Sequence, residues 1–296
     1  MIRRASGVGR GFDSNGMAWV PGALGFMVFG PEVGLRDWAE RWQNGGRPHK
    51  GRMGWFLGNG GSRVPPMAAK QRFLVVTGTG TGVGKTVLSG LLVRRIIQLG
   101  RTIRAFKPLC SGGRGDALAL EAASGGAQTL DEINPWHFEA PLSPALAARL
   151  ERRTVTLEEV SAYVRQHSKQ SELTLIEGAG GLLSPLTVDG DTRDLIVLLK
   201  ARPLMVAANR LGVIHDVRAT LSCLPPLLRS SVPVVLMAPA TADASTARNA
   251  RSLSEYHPAD RIVEIPRVSE EIQFGARSPS VALNRKLDQI FRLLAS

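Results

Sequence analysis

The stretch that decides the fold is GTGTGVGKT, residues 78–86, because of what lies on either side of it. The apolar run FLVVT (73–77) precedes it, and the amphipathic segment 85–100 follows it and ends in Gly100, a common helix terminator. The pattern therefore predicts a buried strand, a glycine-rich turn and a helix in direct succession. Glycine permits positive φ and close approach to a ligand, and N–H groups at a helix start form a nest for an anion. The sequence predicts a phosphate-binding loop.

This loop departs from the strict pattern G-x-x-x-x-G-K-[ST]. That pattern requires glycine at position 79, where the chain has Thr79, and the first glycine stands one residue earlier, at 78. The strand, the helix and the terminal G-K-T are all in place, so we keep the interpretation. We expect Lys85 to reach the β- and γ-phosphates of a nucleotide, and the Thr86 hydroxyl to bind Mg²⁺.

Beyond residue 72, short β-branched runs alternate with amphipathic segments. The runs are apolar at successive positions, which indicates buried strands, and they are 72–77, 102–107, 173–178, 203–208, 232–238 and 262–266. The helix-like segments are 85–100, 116–124, 157–169, 192–200, 212–224 and 245–257. Alternation of this kind predicts an α/β fold of three layers, with a mainly parallel sheet and helices on both faces. Ligands bind such sheets beyond the carboxyl ends of the strands.

Residues 1–66 differ from the rest of the chain. They hold 15 of the 32 glycines and four of the five tryptophans, and no helical or strand periodicity lasts there. The arginines near the start hint at a transit peptide, but Asp13 and the many glycines argue against one. We expect 1–66 to be an irregular, disordered extension, or to reflect a start site placed too early, and we expect a P-loop domain over 67–296.

Composition narrows the class of protein. Hydrophobic residues make up 44% of 296, enough for a sizeable core, and no apolar run reaches the roughly 18 residues of a membrane span. The net charge of +12 is spread along the chain without a block of like charges, so we expect no nucleic-acid partner and no membrane partner. Two cysteines, Cys110 and Cys223, suggest neither a disulfide framework nor a zinc site, which favours a cytoplasmic protein.

Three further charged residues are candidates for the site. Glu177 ends a buried strand and runs into a second glycine loop, where nothing local needs its charge, so it is a candidate ligand of Mg²⁺. Asp116 opens a helix, where it is either a second metal ligand or an ordinary N-cap. Lys107 ends the second strand, where it is either a surface lysine or a cation directed at a second anionic centre.

Together these motifs resemble the dethiobiotin synthetase family. The matching stretches occur in the family's order and span about residues 72–266: VTGTGTGVGKT, KPLCSGG, GDALAL, NPWHFEAPLSPALAA, IEGAGGLLSPL, RLGVIHDVRATL and EIP. The resemblance implies a P-loop NTPase-like fold, a homodimer, and an ATP- and Mg²⁺-dependent ligase of biotin biosynthesis. Its substrates would be 7,8-diaminononanoate, CO₂ and ATP.

The resemblance also implies roles for individual residues. The nucleotide would be held by Gly80, Thr81, Gly82, Val83, Gly84, Lys85, Thr86, Val87, Glu177, Gly178, Gly180 and Gly181. Mg²⁺ would be held by Thr86, Asp116 and Glu177. The catalytic residues would be Lys107, Thr81 and Lys85. Ser111 and Lys107 would bind the substrate near its amines, and the helix start at Leu211, Gly212, Val213 and Ile214 would receive the carboxylate of substrate bound to the other subunit.

Some positions differ from the family's usual pattern. His215 stands where an asparagine is common near the substrate carboxylate, and we interpret it as a helix-end residue. Ala238 stands where the family often has an asparagine that recognises adenine, which predicts loose selectivity for the base. Gly80 and Gly82 replace acidic residues of some relatives, which removes negative charge from the phosphate loop.

Two other functions remain open. A partitioning-type switch ATPase shares the P-loop sheet, but such proteins usually carry an extra lysine where this chain has Gly80, and a basic tail helix, whereas residues 280–296 are only mildly basic. A cobyrinic-acid amide synthetase would normally bring a glutaminase with a nucleophilic cysteine. Neither Cys110 nor Cys223 lies in a nucleophile-elbow pattern.

Overall fold

Six parallel strands form the central sheet of the computed structural model, which describes residues 72–273 and 275–295. The strands of the described residues, in chain order, are β1 Arg72–Gly78, β2 Ile103–Phe106, β3 Leu109–Ser111, β4 Trp136–Phe138, β5 Leu173–Glu177, β6 Pro185–Thr187, β7 Gly190–Asp191, β8 Arg202–Ala208, β9 Val234–Met237 and β10 Ile262–Ile265. The order across the sheet is β10-β9-β8-β1-β5-β2, and every neighbouring pair is parallel. The remaining strands form two small pairs, β3 with β4 and β6 with β7.

Helices connect the strands and cover both faces of the sheet. In chain order they are α1 Lys85–Gln98, α2 Gly115–Ala123, α3 Leu130–Ile133, α4 Pro144–Leu150, α5 Leu157–His167, α6 Thr192–Leu199, α7 Val213–Ser222, α8 Pro226–Arg229, α9 Asn249–Leu253, α10 Glu270–Gln273 and α11 Val281–Ala295, with a 3₁₀ turn at Ala259–Arg261. None of these helices is both long and apolar enough to cross a bilayer.

Alternate residues of each strand enter two separate hydrophobic cores. Leu74 and Val76 of β1 pack on one face with α1, α2 and α11, whereas Val75 packs on the other face with α4, α5, α6 and α7. Both sets are almost completely buried, which is why the strands read as continuous apolar runs rather than alternating ones. The two cores hold the strand ends in a fixed arrangement on which the site is built.

The parallel register brings three functional segments to one edge of the sheet. β5 lies between β1 and β2, with Val76 opposite Glu177 on one side and Phe106 opposite Ile176 on the other. The phosphate loop after β1, Glu177 at the end of β5 and Lys107 after β2 are consequently adjacent.

The structure confirms the predicted α/β fold with its mainly parallel sheet, and each of the six predicted strands belongs to that sheet. The helix predicted over 245–257 is wrong in extent, because only Asn249–Leu253 is helical. The Asp243 side chain accepts hydrogen bonds from the N–H groups of Ser245 and Thr246, which form a turn before the helix, and Pro258 follows closely after the helix. The extension predicted over 1–66 lies outside the described residues.

Candidate active site

The phosphate loop has the backbone that an anion nest requires. Gly82 and Gly84 adopt φ of 72° and 97°, and Gly84 is the N-cap of α1. A side chain at 84 would also lie 3.0 Å from Met237, so glycine is required there on two counts. Among the hydrogen bonds within residues 72–273 and 275–295, none comes from the N–H groups of 84–87 at the start of α1. These donors are available to a bound anion.

Lys85 is folded back into this loop. Its Nζ donates to the Gly80 carbonyl at 2.7 Å, and the side chain is buried. Burial, followed by the nearby charge of Lys107, lowers the pKa of Lys85 to about 8. The Lys85 ammonium lies in the phosphate loop, where phosphate oxygens would replace the Gly80 carbonyl as its partner.

The second glycine loop, residues 178–181, packs directly on the phosphate loop, residues 78–84. The Leu182 N–H donates to the Gly78 carbonyl at 3.1 Å, and a Cβ on Gly181 would lie 3.5 Å from the Gly80 Cα. Gly178 leaves no space either, because a Cβ there would meet Thr192 at 2.8 Å. Glycine at 181 therefore permits close approach between the two loop backbones, and glycine at 178 leaves room for the Thr192 side chain.

The four charged and hydroxyl side chains predicted from separate motifs form one cluster. Thr86 Oγ1 lies 2.8 Å from both Asp116 Oδ1 and Glu177 Oε1. Lys107 Nζ lies 2.9 Å from Asp116 Oδ2, 3.0 Å from Glu177 Oε1 and 2.9 Å from the Gly178 carbonyl oxygen. Glu177 and Lys107 are 1% and 3% exposed, so Lys107 is not a surface lysine.

Electrostatics in the cluster favour the charged forms. Burial alone lowers the pKa of Lys107, but Glu177 and Asp116 outweigh it and leave the pKa above its ordinary value. Burial raises the pKa of Asp116, but the charge of Lys107 and hydrogen bonds from Lys107 and Thr86 outweigh it and hold the pKa below its usual range. The site keeps an ammonium beside a carboxylate at neutral pH.

The same cluster offers oxygen ligands of the kind that Mg²⁺ prefers. Glu177 Oε2 is buried and has no hydrogen-bond partner among the described residues, and Thr86 has a single proton for two carboxylate oxygens. No group of three or more His, Cys, Asp or Glu side chains suited to a metal occurs in the described residues. Two carboxylates and a hydroxyl suit Mg²⁺ that completes its shell with phosphate and water oxygens. The residues present fit that ion.

Sequence reasoning missed the residues that support Lys107. Asn134, which is buried, donates from Nδ2 to the carbonyls of Lys107 and Pro108, and Arg114 Nε donates to Asn134 Oδ1 at 3.0 Å. These bonds fix the backbone on which the Lys107 side chain stands. The sequence feature that could have identified Asn134 is the NP pair in NPWHF, because an asparagine before proline often hydrogen-bonds backbone groups at a turn.

The remaining predicted residues make hydrogen bonds outside the cluster. Ser111, at the end of β3, donates from Oγ to the Leu142 carbonyl at 2.5 Å. Gly212 is the N-cap of α7, so the helix start predicted at Leu211–Ile214 is present. The N–H of Leu211 donates to Asp243 Oδ2 at 2.8 Å and that of Val213 to the Arg210 carbonyl at 3.1 Å, so the N–H groups of Gly212 and Ile214 are the better candidates for binding a carboxylate.

Comparison with known proteins identifies the family of the chain. A family model described as "AAA domain" matches residues 72–272. ATP-dependent dethiobiotin synthetase BioD of Caulobacter sp. (strain K31) is 40% identical over 159 residues, 51% of this chain and 69% of that protein. The chain belongs to the dethiobiotin synthetase family. The predicted resemblance and the predicted enzyme class, an ATP-dependent ligase, are thereby confirmed.

Other dethiobiotin synthetases show the same level of similarity. The protein of Anaeromyxobacter sp. (strain Fw109-5) is 41% identical over 52% of this chain and 70% of its own, and that of Xanthomonas oryzae pv. oryzae (strain PXO99A) is 37% identical over 49% and 68%. Among solved structures, the septum site-determining protein MinD of Pyrococcus horikoshii OT3, complexed with Mg-ADP, matches at a TM-score of 0.46 and 14% identity over 76% of this chain and 95% of that chain.

Proposed function

We propose that this dethiobiotin synthetase homologue closes the ureido ring of dethiobiotin from 7,8-diaminononanoate, CO₂ and ATP. The observation that supports the proposal is the arrangement of two buried lysines on either side of Glu177. Lys85 faces the phosphate loop, and Lys107 faces the adjacent carboxylate cluster. A site that joins two anions needs a cation for each of them.

The reaction creates that need. One amine of the substrate takes up CO₂ and becomes an anionic carbamate. The carbamate oxygen then attacks the γ-phosphorus of ATP, and the β–γ bond breaks to release ADP and leave a carbamic-phosphoric anhydride. The second amine attacks the carbonyl carbon of the anhydride, closes the ring and expels phosphate. At the transfer step both partners are negative, so they must be held together against their repulsion.

The residues of the cluster suit these steps. Lys85 and the N–H groups of 80–87 bind the triphosphate, and Thr81, exposed at the tip of the loop, lies beside the transferring phosphoryl group. Lys107 binds the carbamate and neutralises charge as the phosphoryl group moves. Thr86, Asp116 and Glu177 would hold Mg²⁺, which would screen the phosphate charges. Water is limited by the burial of Lys107 and Glu177.

We further propose that the chain acts as a homodimer. At this helix start, the N–H groups of Gly212 and Ile214 donate no hydrogen bond within the described residues and lie at the positive end of the helix dipole, which suits the distal carboxylate of a substrate. Leu211 is 75% exposed, as expected of a residue that lies against a second subunit or its substrate. Ser111, on the small strand pair next to Lys107, would then hydrogen-bond the substrate near its amines.

Two lysine variants test the proposal. Lys85→Ala should weaken ATP binding at least about tenfold, because one phosphate contact is worth more than 1.4 kcal/mol. Lys107→Ala should not weaken ATP binding by more than about threefold and should yield no dethiobiotin. Lys169→Ala, which removes an exposed lysine far along the chain, is the control. ATP affinity is measured by calorimetry and product by mass spectrometry. Equal loss of ATP affinity in both lysine variants contradicts the proposed division of roles.

A further inference from the structure

Lys107 contacts the two carboxylates that the site offers to a metal. Its Nζ is 3.0 Å from Glu177 Oε1 and 2.9 Å from Asp116 Oδ2, and its third contact is the Gly178 carbonyl. Asp116 is 49% exposed on its side chain, so a cation from solvent can reach the pair from that side. Glu177 is closed off from water and depends on the protein for its counter-charge.

The carboxylate pair has few hydrogen-bond donors. Asp116 and Glu177 have four oxygen atoms, and within the described residues the donors to them are the ammonium of Lys107 and the one proton of Thr86. Thr86 Oγ1 is equally close to both carboxylates, yet its proton can serve only one of them at a time. Lys85 donates to Gly80 instead. Lys107 is therefore the direct counter-ion of the pair.

A divalent cation that binds the pair must contact the same oxygens. Lys107 and Thr86 already share Glu177 Oε1 and take opposite oxygens of Asp116. An ammonium and a metal ion on one carboxylate oxygen repel each other strongly at such short range in a buried setting. The Gly178 carbonyl gives the ammonium a partner that does not belong to the metal site.

We propose that the ammonium of Lys107 and a divalent cation compete for Asp116 and Glu177, so that metal binding releases Lys107 from the pair. Before the metal arrives, the ammonium stabilises Glu177. Afterwards it keeps the Gly178 carbonyl and turns its remaining protons to a second anion. The identification of that anion as a substrate rests on the proposed function. The exchange makes Lys107 available to the substrate only when the metal is bound.

Binding of Mn²⁺ in the absence of nucleotide tests the competition. Free Mn²⁺ is measured by electron paramagnetic resonance in full-length protein. Lys107→Met should bind Mn²⁺ about tenfold more tightly than the unchanged protein, because the competing cation is gone. Lys107→Arg keeps the charge and should retain the weak affinity. Lys85→Met removes a nearby charge without a carboxylate contact and should gain less than about threefold.

Three outcomes would overturn the proposal. The first is unchanged or weaker Mn²⁺ binding by a Lys107→Met protein that still unfolds cooperatively. The second is an equal gain in Mn²⁺ affinity in Lys85→Met, because that would show an effect of net charge alone. If Lys107→Met does not fold, a crystal structure of the unchanged protein with Mn²⁺ and a non-hydrolysable ATP analogue decides. The Lys107 Nζ should then lie beyond about 4 Å from Asp116 Oδ2, the usual limit of an ion pair, and retention of the contact overturns the proposal. The Mn²⁺ measurements and the crystal structure use no diamine substrate. If the protein fails to make dethiobiotin, the proposed function is contradicted, but the competition between Lys107 and the metal is not.

Discussion

The surroundings of Glu177 suggest that its carboxylate serves to bind a cation. It ends β5 in the interior, 1% exposed, and its Oε2 has no hydrogen-bond partner among the described residues. A buried carboxylate is costly unless it is paired, and Lys107 and Thr86 satisfy only its other oxygen. Such an arrangement is stable only with a cation nearby, which is consistent with a site that exchanges an ammonium for a metal.

Gly178 offers a test of the close approach between the second glycine loop and α6. A methyl group at 178 would lie 2.8 Å from Thr192, so Gly178→Ala should lower the free energy of unfolding by about 1–3 kcal/mol, the usual cost of overpacking. Gly113→Ala is the matched control, because nothing lies within 4 Å of its Cβ position and its φ is not positive. Urea unfolding measures both. Equal stability of the two variants would show that the Thr192 contact does not constrain the loop.

At the scale of elements, α11 distinguishes a synthetase from a partitioning-type ATPase. Its apolar residues Leu283, Leu287, Ile290 and Phe291 are buried in the core that α1 and β10 share. A tail helix that binds a membrane or another surface must have a free apolar face. This face is occupied within the chain, which counts against the switch-ATPase alternative.

The ion pair between α1 and α11 should be important for this packing. Arg95 contacts Asp288 through Nε and Nη2, each at 2.8 Å, and Asp288 is buried. Asp288→Ala leaves the guanidinium without its partner and should cost about 2–4 kcal/mol of unfolding free energy. Glu172→Ala, which breaks the exposed pair with Arg101, should cost less than about 1 kcal/mol. Chemical denaturation of both variants gives the comparison, and similar costs would refute a structural role for the α11 pair.

Periodicity located the elements of the central sheet, but not the way they pair. Buried runs such as LTLIEG carry a strong local signal, whereas β3 and β4 have three residues each, too few to show a pattern. The strand order depends on contacts distant in sequence, so the sequence alone could not show that β5 lies between the strand before the phosphate loop and the strand before Lys107. The charged residues of the site were predictable from their motifs, but Asn134, whose role depends on tertiary contacts, was not.

At the scale of the whole molecule, the two hydrophobic cores of the described residues are built from positions 74 to 294, within the predicted domain 67–296. We predict that a chain that begins at Met67 unfolds within about 3 °C of the full-length protein, which corresponds to about 1 kcal/mol, and keeps its activity. Calorimetry and product assays of the two chains measure this. An inactive or strongly destabilised short chain would show that 1–66 contribute to the working protein.

The transfer of oxygen from bicarbonate to phosphate tests the central claim most directly. The protein is incubated with 7,8-diaminononanoate, ATP, Mg²⁺ and bicarbonate labelled with oxygen-18, and the phosphate released is examined by mass spectrometry. If the carbamate oxygen attacks the γ-phosphorus, each phosphate formed with dethiobiotin carries one labelled oxygen. Unlabelled phosphate, or ATP hydrolysis that does not depend on the diamine, would contradict ring closure at this site.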